Sequence, residues 1–239
     1  MYWIFFWRLE RLILEPRPPV SLPSPIRDHS LVCYVTDRRQ LPVPAAAQET
    51  ELLGKIAAAA SAGVDWVQIR EKDLSGVQLG ALARHALMGA TRDCRIIVND
   101  RLDVACAVRA DGVHLGERSI SIREAGRFVR ERGMKKSFLI GASVHSLDTA
   151  RKAEMEGADY LIFGPVFATP RKVAYGAPQG LERLAETCGR ISIPVLAIGG
   201  ITPENARDCY EQGAAGVAGI RIFQATTDLQ PLMKSLQGV

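Results

Sequence analysis

The chain alternates repeatedly between short apolar segments and longer helix-like segments, and this pattern restricts the fold more than any other feature. Most of the apolar segments are uninterrupted, as in parallel strands that are covered on both faces. Eight strands are predicted, at 31–36, 65–69, 95–98, 112–115, 138–142, 160–163, 195–198 and 216–220. Helix-length segments lie between them at 49–62, 75–90, 102–108, 120–132, 146–156, 181–188 and 203–212.

Glycines with small neighbours join helix ends to the following strands, for example at Gly63, Gly157 and Gly213. Glycine can end a helix in the left-handed conformation and permits a tight turn. Eight strand–helix units close a sheet, so the predicted fold is an α/β (βα)8 TIM barrel in a single domain. The alternative is a doubly wound open sheet, but that fold usually has fewer strands, and no GxGxxG motif follows the first strand.

The predicted barrel domain covers 29–239, and an N-terminal extension covers 1–28. The extension has an aromatic stretch at 1–14 and a proline-rich stretch at 16–25. It lacks the basic start, long apolar core and small-residue cleavage site of a secretory signal. We expect a flexible extension; the alternative is a helix that lies on a membrane surface or docks to a partner.

Composition narrows the partners and the compartment. Charged residues make up 23% of the chain, and the net charge of +4 comes from scattered Lys and Arg. We therefore expect no nucleic-acid partner and favour an anionic small molecule. Five cysteines without metal-ligand spacing favour a reduced, cytoplasmic setting. No apolar run reaches the roughly 18 residues that cross a bilayer, so no transmembrane segment is expected. Assembly into a homo-oligomer stays open.

Polar residues follow the predicted strands, and in a barrel these strand ends lie at one rim. Gln68, Arg70 and Lys72 alternate along one strand end, so all three can face the same side and clamp a polyanion. The alternative is that Arg70 and Lys72 form solvated charge pairs with Glu71.

Asn99 and Asp100 follow another buried strand. Either residue could cap the next helix. A carboxylate at the rim is also a suitable magnesium ligand, because Mg²⁺ commonly uses one or two carboxylates together with phosphate oxygens and water.

Two histidines lie at strand ends. We expect His114 to be a structural group, as lone histidines near a core usually are. His145 follows Ser143 by two residues on the same face, which favours a role in binding or proton transfer.

Gly199-Gly200 and Gly219-Ile220-Arg221 follow the last two strands. In barrels these turns often present backbone amides to a phosphate, and glycine lets the backbone approach the anion closely. The sequence therefore predicts a phosphate monoester site here. Thr202-Pro203-Glu204 then predicts a helix start with proline in its first position.

The loop that contains Thr169 and Lys172 could fold over the ligand, where Lys172 would reach a leaving anion.

Seven motifs, taken in order, resemble the thiamine phosphate synthase/TenI family over about 31–223. They are YVTDR (34–38), QIREK (68–72), VNDR (98–101), ADGVHLG (110–116), GASVHS (141–146), GPVFAT (164–169) and AIGGIT (197–202). The resemblance implies a TIM barrel and a role in thiamine biosynthesis. In the synthase branch, hydroxymethylpyrimidine diphosphate joins thiazole phosphate: diphosphate leaves with the help of Mg²⁺, and the thiazole nitrogen captures the pyrimidine cation.

The resemblance also implies roles for individual residues. The positions similar to diphosphate and pyrimidine contacts are Gln68, Arg70, Lys72, Asn99, Ser143, Thr169 and Lys172. Asp100 resembles a magnesium ligand. The amides around Gly199, Gly200, Ile220 and Arg221 resemble the thiazole-phosphate cradle.

Three positions depart from the synthase pattern. Glu117 and Ser119 stand where synthases usually have glutamine and a second magnesium aspartate, and Arg221 replaces a usual serine. Glu117 is the candidate to supply the missing carboxylate.

Ser119 is similar to the TenI branch, whose members aromatise a carboxythiazole phosphate without metal, and His145 resembles the acid/base histidine proposed for that reaction. The retained synthase positions favour the synthase, with Mg²⁺. The tautomerase, without a cofactor, is the alternative, and a non-catalytic protein that binds thiazole or thiamine phosphate is the third hypothesis.

Overall fold

The computed structural model describes residues 30–134, 137–168 and 177–237. Eight short strands occur in this part of the chain. They are β1 (Leu31–Val35), β2 (Trp66–Ile69), β3 (Arg95–Asn99), β4 (Gly112–Leu115), β5 (Leu139–Val144), β6 (Tyr160–Phe163), β7 (Val195–Ile198) and β8 (Gly216–Gly219). Each strand is buried along nearly its whole length, as the uninterrupted apolar segments predict.

Helices connect successive strands, and two more follow β8. They are α1 (Gln48–Ser61), α2 (Gly76–Gly89), α3 (Leu102–Val108), α4 (Ile122–Glu131), α5 (Leu147–Met155), α6 (Gly180–Cys188), α7 (Ala206–Glu211), α8 (Arg221–Gln224) and α9 (Leu229–Gln237). Serine caps begin α2, α4 and α5, and each cap side chain accepts a hydrogen bond from the backbone three residues later. These caps fix where each helix leaves the loop that follows a strand.

The sheet is a closed parallel barrel in which every strand pairs with its sequence neighbours and β8 pairs with β1. At the closure, Leu31 lies opposite Gly216 and Tyr34 lies opposite Gly219. The predicted TIM barrel is therefore confirmed. All strands point the same way, so their carboxyl ends surround one opening, which we call the barrel mouth.

Side chains on the inner face of the sheet fill the barrel itself. Trp66 and Tyr160 pack with ring centroids 4.6 Å apart, among apolar residues of the other strands. Gly141 leaves the space that the Tyr160 ring occupies, because a Cβ at Gly141 would lie 2.0 Å from Tyr160 Cζ. The barrel interior is thus a solid core beneath the mouth.

At the opposite, amino end of the barrel, an aspartate lies directly before each of the strands β2, β4 and β6. The carboxylates of Asp65, Asp111 and Asp159 accept hydrogen bonds from the amides of the second residues of β1, β3 and β5, at 2.9, 2.9 and 2.7 Å. These bonds tie β1, β3 and β5 to the turns that enter β2, β4 and β6. The sequence shows the aspartates, but their partners are visible only in the folded barrel.

The structure corrects the predicted start of one helix and adds two helices. The helix predicted from Pro203 begins instead at Ala206, because the Asn205 side chain binds the Thr202 amide and the Gly200 carbonyl and holds a turn there. The helices α8 and α9 were not predicted.

Residues 1–28 lie outside the described residues, so the domain boundary stays a prediction. In the described ranges, no helix has both the length and the apolar composition needed to cross a bilayer.

Candidate active site

Two amide side chains face each other on the inner wall of the mouth. Gln68 and Asn99 lie two residues after Trp66 and Ile97, which point into the barrel, so strand alternation directs them inward as well. Gln68 Nε2 donates to Asn99 Oδ1 at 2.9 Å. Gln68 Oε1 is buried and has no hydrogen-bond partner among the described residues. It is therefore an acceptor that a ligand in the mouth can satisfy.

His114 lies inside the barrel and links two other strands. Its Nδ1 is 3.1 Å from the Tyr160 hydroxyl, and its Nε2 is 2.8 Å from Ser143 Oγ. Burial lowers the pKa of His114 to about 3, so the ring is neutral near pH 7. The prediction associated Ser143 with His145, whereas the structure shows that Ser143 bonds to His114.

The hydrogen-bond directions along this chain follow from Tyr160. Burial raises the pKa of Tyr160 well above its usual value, so the phenol keeps its proton. We assign this O–H as a donor to His114 Nδ1, the acceptor that the described residues offer it. Nε2 then carries the ring proton and donates to Ser143 Oγ. With this assignment, the Ser143 O–H can donate to a group other than His114.

Arg70 and Lys72 lie just beyond the end of β2. Among the ion pairs between described residues, none includes either side chain. Arg70 lowers the pKa of Lys72, with burial as a second cause, while Asp100 acts in the opposite direction. The two cations and Asp100 therefore lie in one electrostatic neighbourhood.

Glu71 points away from Arg70 and Lys72. It is 4% exposed, and its carboxylate accepts hydrogen bonds from Thr36 Oγ1 at 2.6 Å and from Arg38 Nη1 at 2.9 Å. The alternative in which Arg70 and Lys72 form solvated charge pairs with Glu71 is therefore wrong. The sequence could not show this, because the partners of Glu71 come from the loop that follows the neighbouring strand β1.

Asp100 lies in the left-handed region, with φ of 68°, and its amide donates to the His114 carbonyl at 2.8 Å. Its carboxylate accepts a hydrogen bond from Ser119 Oγ, and that oxygen in turn accepts one from the Gly116 amide at 2.7 Å. The capping alternative is wrong, because α3 has Arg101 at its N-cap position and no side-chain cap bond. Asp100 instead faces the loop between β4 and α4.

Glu117 belongs to the same loop and lies beside His145. Glu117 Oε1 is 4.0 Å from His145 Nε2, and His145 Nδ1 contacts the Gly164 carbonyl. No group of three or more His, Cys, Asp or Glu side chains that could hold a metal occurs within the described ranges. For a metal that also binds ligand phosphates, this part of the chain thus offers the Asp100 carboxylate with the Ser119 hydroxyl next to it.

The turns after β7 and β8 form another side of the mouth. Gly199 and Gly200 have φ of 101° and 67°. A Cβ on Gly199 would lie 2.6 Å from Pro165 Cβ, and one on Gly200 would lie 2.7 Å from Phe167 Cβ. Glycine is thus required by packing as well as by backbone conformation.

Several amides in these two turns have no acceptor among the residues that the structure describes. Among the hydrogen bonds between described residues, none uses the amide N–H of Gly200, Ile220 or Arg221. Arg221 is exposed, and none of the ion pairs between described residues includes it. The turns therefore combine unpaired amides with a positive charge, which suits an anion.

Thr169 and Lys172 lie outside the described residues, so their predicted places in the site are not tested. The residues that the sequence interpretation missed are Thr36 and Arg38, which hold Glu71, and Tyr160, which orients His114. Thr36 and Arg38 belong to the YVTDR motif, which is the one signal that could have drawn attention to them.

A separate cleft of about 630 Å³ between α3 and α4 includes none of the predicted site residues.

Comparison with known proteins decides the family. The family model described as thiamine monophosphate synthase (TMP-TENI) matches residues 33–223. The chain belongs to the thiamine monophosphate synthase family. It is 44% identical over 181 residues to a thiamine-phosphate synthase of Methanoculleus marisnigri, covering 75% of this chain and 83% of that protein. It is 38% identical over 231 residues to the synthase of Roseiflexus sp., covering 95% and 93%.

A solved structure of a family member agrees with this assignment. Thiamine phosphate pyrophosphorylase from Pyrococcus furiosus superposes with a TM-score of 0.73 and 33% identity, covering 86% of this chain and 93% of that chain. The family resemblance inferred from the seven motifs is thus confirmed.

Proposed function

We propose that this member of the thiamine monophosphate synthase family joins hydroxymethylpyrimidine diphosphate to thiazole phosphate, forming thiamine phosphate and releasing diphosphate. The observation that carries the proposal is that Arg70 and Lys72 lie beside Asp100 at the mouth of a barrel from this family, with no ion pair to another described residue. In the reaction, the bond between the pyrimidine methylene and diphosphate breaks, and a bond from the thiazole nitrogen to that methylene forms.

The diphosphate end of the site is the wall formed after β2 and β3. Arg70 and Lys72 bind the diphosphate oxygens, and their charge stabilises the negative charge that grows on the leaving group. Lys172 is proposed to reach the same group from the loop after β6, together with Thr169. Gln68 and Asn99 contact the pyrimidine or its diphosphate. The buried Gln68 Oε1 is an acceptor, so it supports contact with a hydrogen-bond donor of the pyrimidine and not with diphosphate oxygens, which are acceptors themselves.

The metal site is proposed at Asp100. When bound, Mg²⁺ would neutralise part of the diphosphate charge. Asp100 would hold it with one carboxylate, and the Ser119 hydroxyl lies on the same carboxylate. One carboxylate and one hydroxyl carry less negative charge than two aspartates. Substrate oxygens and water would therefore occupy more of the coordination positions of Mg²⁺.

Ser143 is proposed to orient the substrate. Because His114 is assigned as the donor to its oxygen, the Ser143 O–H can donate to another group. It can therefore bind an acceptor atom of the pyrimidine or of the diphosphate. The buried core beneath it keeps bulk water from the pyrimidine cation.

The thiazole phosphate is proposed to bind at the turns after β7 and β8. The amides of Gly200, Ile220 and Arg221, which donate to no described residue, support this placement, and Gly199 allows the backbone to turn there. Arg221 adds a cation that strengthens binding of a phosphate dianion.

The relatives named thiamine-phosphate synthase favour this function over the two alternatives, the tautomerase and the non-catalytic binding protein. His145 remains the candidate acid/base residue for a tautomerase. Its contact with Glu117 is half-exposed, which is a weak arrangement for fixing a proton position.

The test is product formation from both substrates with and without Mg²⁺, measured by chromatography of thiamine phosphate. We expect turnover that requires Mg²⁺, and Asp100→Ala should lower it by about a hundredfold or more. Asp103→Ala is the matched control, since Asp103 is exposed and pairs with Arg101. Absence of product with both substrates and metal would refute the synthase. Metal-independent turnover of carboxythiazole phosphate that is lost in His145→Ala would favour the tautomerase.

A further inference from the structure

The segment after β2 alternates cations and carboxylates: Arg70, Glu71, Lys72, Asp73. Such a run can neutralise itself by pairing neighbours. In the structure both carboxylates instead bind one cation from the loop after β1. Arg38 Nη1 lies 2.9 Å from Glu71 Oε2 and 2.9 Å from Asp73 Oδ1, and Arg38 Nη2 lies 2.7 Å from Asp73 Oδ2.

Thr36, at the end of β1, fixes the same segment from the inside. Thr36 Oγ1 donates to Glu71 at 2.6 Å and accepts from the Arg70 amide at 3.0 Å. The Arg38 amide also donates to Glu71, at 3.1 Å. The buried carboxylate is therefore satisfied entirely by β1 and its loop, and the backbone of Arg70 is held in register with it.

The consequence appears on the other side of the segment. Arg70 and Lys72 have no carboxylate within ion-pair distance in the described part of the chain. Arg70 lowers the pKa of Lys72, as two like charges held near one another do. This arrangement is unfavourable by itself and becomes favourable when a polyanion binds both cations.

We propose that Arg38 and Thr36 are positioning residues, which hold Glu71 and Asp73 away from Arg70 and Lys72 and so keep both cations available to a diphosphate group. This inference rests on the proposed function, because it concerns the ligand of Arg70 and Lys72. Neither Arg38 nor Thr36 touches the ligand; each acts through the segment 70–73.

The chain offers a matched control in the adjacent residue. Arg39 carries the same charge as Arg38, but its side chain is 59% exposed and lies 3.6 Å from Asp37. If the effect were only the loss of one nearby positive charge, Arg38→Gln and Arg39→Gln would weaken diphosphate binding equally. If Arg38 acts by holding carboxylates, only Arg38→Gln will do so.

The experiment is calorimetric titration of the full chain, in magnesium-containing buffer, with inorganic diphosphate and separately with thiazole phosphate. We expect Arg38→Gln to weaken diphosphate binding by about tenfold or more, the size of one charge-assisted hydrogen bond. Thiazole phosphate binding should stay unchanged, because that ligand is assigned to the turns after β7 and β8. Arg39→Gln should bind both ligands like the wild type.

Two further variants separate positioning from general damage to the loop. Adding Asp73→Asn to Arg38→Gln removes a freed carboxylate and should recover part of the diphosphate affinity. Thr36→Val should weaken diphosphate binding, and Thr36→Ser, which keeps the hydroxyl, should restore it.

The outcomes that overturn the inference are equal losses in Arg38→Gln and Arg39→Gln, equal losses for both ligands, or no recovery on adding Asp73→Asn. A wild-type chain that binds no diphosphate would overturn the placement of that group at Arg70 and Lys72, and the inference with it. If the wild type and Arg38→Gln bound diphosphate equally well, the positioning role of Arg38 would be refuted and the proposed function would be unaffected.

Discussion

At the scale of single residues, His114 is a histidine that folding keeps neutral. Its pKa is lowered to about 3, mainly because burial penalises the charged ring. In an unfolded chain a histidine titrates near its ordinary pKa of about 6.5. Between these two pKa values the unfolded chain binds a proton that the folded chain does not, so stability increases with pH across that range.

We therefore expect the free energy of unfolding to decrease as the pH is lowered from about 6.5, with His114 contributing up to about 1.4 kcal/mol per pH unit. The stability linked to neutral His114 is fully present above the pKa of histidine in the unfolded chain. It is lost as the pH falls toward the pKa of His114 in the folded chain. Urea unfolding at pH 7, 6 and 5 measures it. His114→Gln should flatten the dependence, whereas His145→Gln, with its half-exposed ring, should keep it. Parallel curves for the wild type and His114→Gln would contradict this assignment.

Gly199 is the residue at which backbone and packing demands coincide. Its φ is 101°, and a Cβ would lie 2.6 Å from Pro165 Cβ and 2.7 Å from Pro165 Cα. We expect Gly199→Ala to reduce the free energy of unfolding by about 1–3 kcal/mol, measured in urea. Gly54→Ala is the contrasting variant. Gly54 lies within α1 with open space around its Cα, so alanine there should stabilise by up to about 1 kcal/mol. If both changes had the same sign, the packing argument would fail.

At the scale of elements, the loop between β4 and α4 bears on the metal site proposed at Asp100. Ser119 contacts Asp100, so an aspartate at 119 would place a second carboxylate against the first. Two such carboxylates repel each other unless a cation lies between them. The residue at 119 would therefore set how much negative charge the proposed site offers to Mg²⁺.

We expect Ser119→Asp to lower the thermal unfolding midpoint without metal, and Mg²⁺ to raise that midpoint more in the variant than in the wild type. The measurement is thermal unfolding with increasing Mg²⁺. Glu117→Gln is the control and should leave the metal response unchanged, because Glu117 lies against His145. A variant that is indifferent to Mg²⁺ would show that residue 119 does not face the metal site.

The elements themselves were largely predictable, and their contacts were not. Buried parallel strands need uninterrupted apolar segments, so all eight strands were found with bounds close to those observed. The rule that strand ends converge placed Arg70 and Asp100 at one mouth. The partners of Glu71 and Ser143 were missed because they come from other parts of the barrel, namely the loop after β1 and the strand β4. Which of two nearby polar groups is contacted depends on strand register. The short α8 lacks the length that gives a periodic pattern.

At the scale of the whole molecule, closure of the barrel depends on its first and last strands. The amide of Leu31 donates to the Ala215 carbonyl at 3.0 Å, and β1 pairs with both β2 and β8. The Gln224 side chain also donates to the Asp37 carbonyl at 2.8 Å, which ties α8 to the loop after β1. The described contacts that close the ring therefore begin at residue 31.

We predict that a chain beginning at residue 29 retains the unfolding midpoint and the turnover of the full chain, because every strand of the closed sheet is still present. A chain beginning at residue 37 lacks β1, exposes the edges of β2 and β8, and should not fold cooperatively. Circular dichroism during heating and the thiamine phosphate assay compare the three chains. If removal of residues 1–28 abolished turnover while the midpoint stayed the same, the extension would contribute to the site, and the boundary between extension and catalytic domain would have to be redrawn.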